Sequence, residues 1–160
     1  MRPTTRELIE AVVSSLQRDV SPQLADKWSA SALRSAVQLL SHLAVRVEKE
    51  QAILIEDNAD VRQVLLSIGE RLTASQSPPA WCRAIDEVLA APEPATHDAV
   101  GLDRCNEAFQ GVVELLLHDR EALHAVPSGR EMHVELRSYL RRRLEREHGL
   151  YFPAFTGAPF

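Results

Sequence analysis

Apolar residues recur every three or four positions along most of this chain of 160 residues, and no segment sustains the period-two alternation of a strand. Leu8, Ile9, Val12, Val13 and Leu16 define a first helix. It is opened by Thr4 and Glu7, which have the spacing of a capping box just behind Pro3. Ser21-Pro22 closes it. A second helix is predicted from about Ser29 towards Ala52 or beyond. Its stripe is Leu33, Ala36, Val37, Leu40, Leu43, Ala44 and Val47, close to the heptad seam that a bundle helix buries. Asp57 or Asn58 is expected to cap a third helix, which carries Val61, Val64, Leu65, Ile68 and Leu72.

A polar linker, Thr73 to Ser77, precedes Pro78-Pro79, which is expected to start a short helix with Trp81, Ile85, Val88 and Leu89 inward. After the stiff Ala91-Pro-Glu-Pro-Ala turn, a helix from about Asp98 to His124 turns Phe109, Val112, Val113, Leu116 and Leu117 to the core. Pro127-Ser128-Gly129 reverses the chain. Ser128 and Glu131 have the spacing of a second capping box, and the helix they open carries Leu136, Tyr139, Leu140 and Leu144. The expected fold is all-α, an up-and-down bundle of about five to six helices. The bundle is assigned to residues 1–150 and a non-helical tail to residues 151–160.

That tail changes the picture. Of the eight Trp, Tyr and Phe residues in the chain, four stand there: Tyr151, Phe152, Phe155 and Phe160. Pro153, Pro159 and Gly157 prevent the helix from continuing. Each ring left in water forgoes about 1.5–3 kcal/mol of burial, so the tail is expected to dock, on its own domain or on another protein. The formal charge of -5 argues against a general nucleic-acid binder, which carries a basic excess. No run of eighteen apolar residues and no secretory leader is present, so a cytoplasmic protein without a membrane segment is expected, with Cys82 and Cys105 reduced.

Candidate chemistry is sparse. Glu-x-x-His occurs at Glu121/His124 and at Glu145/His148, half of a di-iron bundle signature. On antiparallel helices about 20 intervening residues separate the pairs by roughly 30 Å. They cannot share a metal, and each reads as a solvated helix end. No Gly-rich phosphate loop, nucleophile elbow or Cys/His zinc spacing is present. No catalytic residue and no metal site are expected. Arg141, Arg142, Arg143 and Arg146 form a basic cluster beside the tail, a solvated face or a contact for an anion such as a phosphate-bearing ligand.

One resemblance sharpens this. Arg2-Pro3-Thr4 followed by Glu7-Leu8-Ile9-Glu10-Ala11-Val12, and then Arg34-x-Ala36-x-Gln38-x-Leu40 with Leu43, Arg46 and Glu48, resembles a family of small bacterial all-helical proteins described as a domain of unknown function. Gln38 stands where the family often has Asn. The likeness covers roughly residues 2–72. Such proteins are commonly encoded beside an aminoglycoside-phosphotransferase-like kinase and an acyl-CoA-dehydrogenase-like protein. The resemblance implies an accessory subunit that such a kinase needs to phosphorylate the hydroxyl of a 4-hydroxyacyl-CoA.

ATP and Mg would then be bound by the kinase, and this chain would carry no cofactor of its own. The contact residues expected on that reading are Arg34, Gln38, Tyr151, Phe152, Phe155 and Phe160. Arg141, Arg142, Arg143 and Arg146 are available for the phosphates of an acyl-CoA at the interface. The alternative from a different class is a homo-oligomeric bundle that binds a small apolar or metal ligand, with His42 and His118 as its polar pair.

Overall fold

The structure, a computed structural model, describes residues 2–72 and 81–151, and these form six α-helices and no strand. Helix α1 (Thr5–Ser15) begins at the capping box expected for it. Thr4 Oγ1 accepts the Glu7 N–H at 3.2 Å, and the Glu7 carboxylate accepts the Thr4 N–H at 2.7 Å. The chain then loosens through a π turn (Leu16–Val20) and a 3-10 turn (Ser21–Gln23) that holds Pro22. Asp26 starts α2 (Lys27–Leu72) by accepting the backbone N–H of Ser29 at 2.8 Å and its hydroxyl at 2.9 Å.

No break occurs at Asp57 or Asn58: the expected second and third helices are one helix of 46 residues. Neither proline nor glycine falls between Lys27 and Ile68, so nothing in the backbone stops it. Asp57 and Asn58 point across to other helices instead of back to their own N–H groups.

Beyond the undescribed residues 73–80, which include the expected linker and Pro78-Pro79, come α3 (Trp81–Ala90), α4 (Ala99–His118), α5 (Arg120–Ala125) and α6 (Gly129–His148). The helix expected to reach His124 ends at Asp119. That residue closes α4 with its backbone N–H on the Leu115 carbonyl and caps α5 by accepting the Ala122 N–H at 3.4 Å. Ser128 is not the N-cap of a capping box either. Its φ of 59° is left-handed, whereas the N-caps Thr4, Asp98 and Asp119 all keep a negative φ.

The contacts divide the chain into two compact units, residues 1–50 with 147–160 and residues 51–146. The second unit holds the core. Val61, Val64, Leu65, Ile68 and Leu72 from α2 meet Trp81 and Ile85 of α3 and Phe109, Val112, Val113 and Leu116 of α4. Leu123 of α5 and Met132, Leu136 and Tyr139 of α6 complete the cluster. Leu144, expected on that inner face, is exposed. It lies one helical turn beyond Leu140, the last partly buried apolar residue of the row.

The first unit is built differently. In α1 no residue is buried, and among the unit's described apolar side chains only Ala44 is.

Candidate functional site

Asp57 lies four residues before Val61 and so shares the core-facing side of α2, where it is 6 % exposed at its side chain. A carboxylate there must be neutralised and hydrogen-bonded or it is strongly destabilising. Its Oδ2 accepts from Asn106 Nδ2 at 2.8 Å, Tyr139 Oη at 3.1 Å and Gln110 Nε2 at 3.5 Å, and its Oδ1 accepts from Arg146 Nη2 at 2.6 Å. Asn106 also donates to Asn58 Oδ1 at 2.9 Å, and Asn58 donates to the Leu102 carbonyl at 2.9 Å. Tyr139 both donates to Asp57 and accepts from Gln110.

One turn along, Asp60 receives Arg142 in a two-pronged pair, Nε at 3.0 Å and Nη2 at 2.6 Å, and Arg146 Nη2 at 2.8 Å. Two carboxylates thus face two guanidiniums. Burial opposes the charge on Arg146, but its hydrogen bonds to Asp57 and Asp60 outweigh that and hold its pKa above the ordinary value. Burial also acts to raise the Asp60 carboxyl, yet the hydrogen bonds from Arg142 and Arg146 win and leave it below the usual range. The Tyr139 hydroxyl is pushed up to about 12, first by burial and then by the Asp57 charge, against the hydrogen bond from Gln110. It is neutral at physiological pH.

A network with its carboxylates saturated and its phenol protonated is poorly suited to move protons. Its physical effect is to lock α2, α4 and α6 in one register. Arg146 Nε, buried without a hydrogen-bond partner, is the one group it leaves unmatched.

Beside Asn58 opens a cavity of about 350 Å³. Ile55, Leu66, Leu102 and Phe109 give it apolar walls, and Arg62, Glu93 and Cys105 stand on its lining. The segment between α3 and α4 forms a lip through Pro94 and Thr96, tied to α2 by Gln51 Nε2 donating to the Thr96 carbonyl. Arg62 Nη2 donates to the Leu89 carbonyl at 3.1 Å, and Arg62 Nε lies 3.1 Å from Glu93 Oε1. Burial first, then Glu93 against an opposing Arg62, pushes the Cys105 thiol up. Neither cysteine is in a disulfide.

In the first unit, Gln38 and His42 face each other on α2, Nε2 to Nε2 at 3.3 Å. The ring of Tyr151 meets His42 edge-on at 6.3 Å. Two of the residues expected to contact a partner, Gln38 and Tyr151, are therefore gathered around His42. Arg34 is exposed on the same helix. Phe152, Phe155 and Phe160 lie outside the described residues. Trp28, Leu39, Leu43 and Val47 fall within about 100° of the α2 circumference. They are 74 %, 69 %, 47 % and 47 % exposed, and Leu8 and Val12 of α1 are likewise open.

Of the basic cluster, Arg141 is exposed and Arg143 half-buried. Arg142 and Arg146 are not an open anion site, because Asp57 and Asp60 already balance their charge. The sequence reading missed Asp57, Asn58, Asn106 and Gln110 as a cluster. A signal was present, since Asp57 precedes Val61, and Asn106 lies between Leu102 and Phe109 on an inward row.

His124 is not simply a solvated helix end. Its ring packs on His133 at 5.2 Å, and His124 Nε2 and His133 Nδ1 are buried without hydrogen-bond partners. Burial, followed by the charges of Arg120, His124 and Arg137, lowers the His133 pKa. Among the described residues, no group of three or more His, Cys, Asp or Glu side chains could hold a metal ion. No helix among them is long and apolar enough to cross a membrane. No family model, no curated protein and no solved structure matches this chain.

Proposed function

We propose that this chain is a non-catalytic accessory subunit that binds and supports an aminoglycoside-phosphotransferase-like kinase acting on a hydroxyacyl-CoA. The observation that carries the binding role is the contrast between the two units. The second has a closed apolar core, while the first leaves Leu8, Val12, Trp28, Leu39, Leu43 and Val47 open and buries only Ala44 among its described apolar side chains. A helix pair with that little burial is marginal alone, and an apolar stripe of this kind marks an interaction surface. Gln38, His42 and Tyr151 supply polar and aromatic contacts near it, of the type enriched at binding hot spots. The kinase as the partner, with its ATP and Mg, comes from the likeness of residues 2–72 to the family described above.

Co-expression with the phosphotransferase-like protein encoded nearest to this chain, followed by size-exclusion chromatography, is the test. Co-elution is expected, together with ATP-dependent phosphorylation of a hydroxyacyl-CoA that the kinase alone does not perform. Clean separation from a fully active lone kinase would end this reading. Leu43→Asp places a charge in the open stripe. It should weaken the complex at least about tenfold, the effect of losing one hot-spot side chain, with helicity by circular dichroism unchanged. The same face offers the homo-oligomer reading its footing. Light scattering on the chain alone would show a dimer that Leu43→Asp dissociates, and kinase binding would then be independent of that substitution.

A further inference from the structure

We infer that the cavity beside Asn58 is a binding site for a small amphipathic monocarboxylate, with Arg62 as the group that receives its head. None of its residues lies in the first unit, so the inference stands apart from the partner reading. The volume, about 350 Å³, is at the small end of ligand sites, which begin near 300 Å³. Leu102 and Phe109 are buried and Ile55 half-buried, so the walls offer an apolar chain somewhere to go.

What selects the head is the arrangement at Arg62. The Leu89 carbonyl fixes its guanidinium from one side, and a carboxylate already occupies its Nε, that of Glu93. Glu93 is 70 % exposed while Arg62 is 27 % exposed. The acceptor is thus a loosely held surface side chain, and the donor is built into the wall. An exposed ion pair contributes little, so a ligand carboxylate can take the place of Glu93 at small cost. The exchange puts one monoanion in place of another at the guanidinium. A neutral ligand gains nothing from Arg62 and leaves Glu93 where it is. A dianionic phosphate brings a second charge that nothing on this lining neutralises, beside the Glu93 it has displaced.

Cys105 on the lining and Cys82 outside it give the site its own reporter. The experiment is alkylation of the full chain by N-ethylmaleimide, read site by site by mass spectrometry, with octanoate, octanol or acetate present. Saturation-transfer NMR of the same three compounds follows binding without the thiols. Octanoate at ten times its dissociation constant should slow Cys105 about tenfold by simple occupancy. Cys82 should be unaffected, and octanol and acetate should do much less.

Glu93→Gln, a surface change, removes the competing carboxylate. It should tighten octanoate by up to about fivefold, the worth of an exposed pair that no longer has to be displaced. Arg62→Gln should abolish the difference between octanoate and octanol. Equal protection by octanol, equal slowing of Cys82, no protection at all, or weaker octanoate binding in Glu93→Gln would each overturn the assignment.

Discussion

Replacing Arg146 by Met should destabilise the protein by about 3–5 kcal/mol, the usual consequence of removing one member of a buried ion pair. The side chain of Arg146 is 11 % exposed and that of Asp57 6 %, so water cannot take over the lost contact. Asp57 would keep its three neutral donors, Asn106, Gln110 and Tyr139, but would hold an uncompensated charge in the core. Urea unfolding should show a lower midpoint with an unchanged slope, because the same surface is exposed on unfolding.

Two comparisons separate this mechanism from a general loss of packing. Arg142→Met removes a partner of Asp60 that is 44 % exposed, and Asp60 retains Arg146. It should therefore change stability by no more than about 1 kcal/mol. The double variant Asp57→Asn with Arg146→Met removes both charges together. It should recover a large part of the deficit, since a buried pair replaced as a pair is often nearly neutral. If the two single variants at 142 and 146 were equal, or the double variant no better than Arg146→Met, charge balance around Asp57 would not be what the network contributes to stability.

The core of the second unit could be read from the sequence, and the reason is narrow. Val61 to Leu72 and Phe109 to Leu116 repeat at helical spacing without interruption, and a stripe flanked by charged residues has only one side to bury. The boundary placed at Asp57 failed because Asp and Asn carry two messages. Either side chain can turn back on its own helix start or reach across to another helix, and both uses put it next to apolar residues. Distance decides between them, and the partners Asn106, Tyr139 and Arg146 are 49, 82 and 89 residues away. No local pattern contains that information. The absence of Gly and Pro around Asp57 was the better guide.

The apolar stripe of α2 in the first unit shows the converse limit. Periodicity identified the apolar side of the helix, but not what covers it. Leu43 and Val47, read as seam positions, are half open, and Leu39, outside the expected seam, extends the accessible stripe. A surface kept for another molecule and one buried within the chain have the same composition. Similarly, the Arg-rich end of α6 was visible as a cluster of charge. Only the position of Asp57 and Asp60 reveals that two of its four arginines belong to the interior network.

The same substitution at two glycines should act with opposite sign. Gly129→Ala should destabilise the protein by about 3 kcal/mol, the upper part of the range for overpacking a close contact. Gly111→Ala should stabilise it by about 0.5–1 kcal/mol. At Gly129, the first residue of α6, a Cβ would stand 1.7 Å from the Leu123 carbonyl oxygen and 3.1 Å from the His124 Cα. These are backbone atoms, and they cannot rotate away as a side chain would. Leu123 itself is fully buried in the core, so relief must come from opening the turn between α5 and α6. That turn is already constrained: Ser128 sits at a φ of 59°, and Gly129 N–H donates to the Val126 carbonyl at 3.0 Å.

At Gly111, in the middle of α4 and exposed, a Cβ meets nothing within 4 Å. Only the lower backbone entropy of the unfolded chain and the better helix propensity of Ala remain. Thermal unfolding should place Gly129→Ala about 6–12 °C below and Gly111→Ala about 2 °C above the parent chain, at roughly 2–4 °C for each kcal/mol in a protein of this size. Ser128→Gly should give a smaller gain by freeing the left-handed position. A Gly129→Ala protein as stable as its parent would mean that the α5–α6 corner is wider than described, and with it the packing of Leu123 beneath.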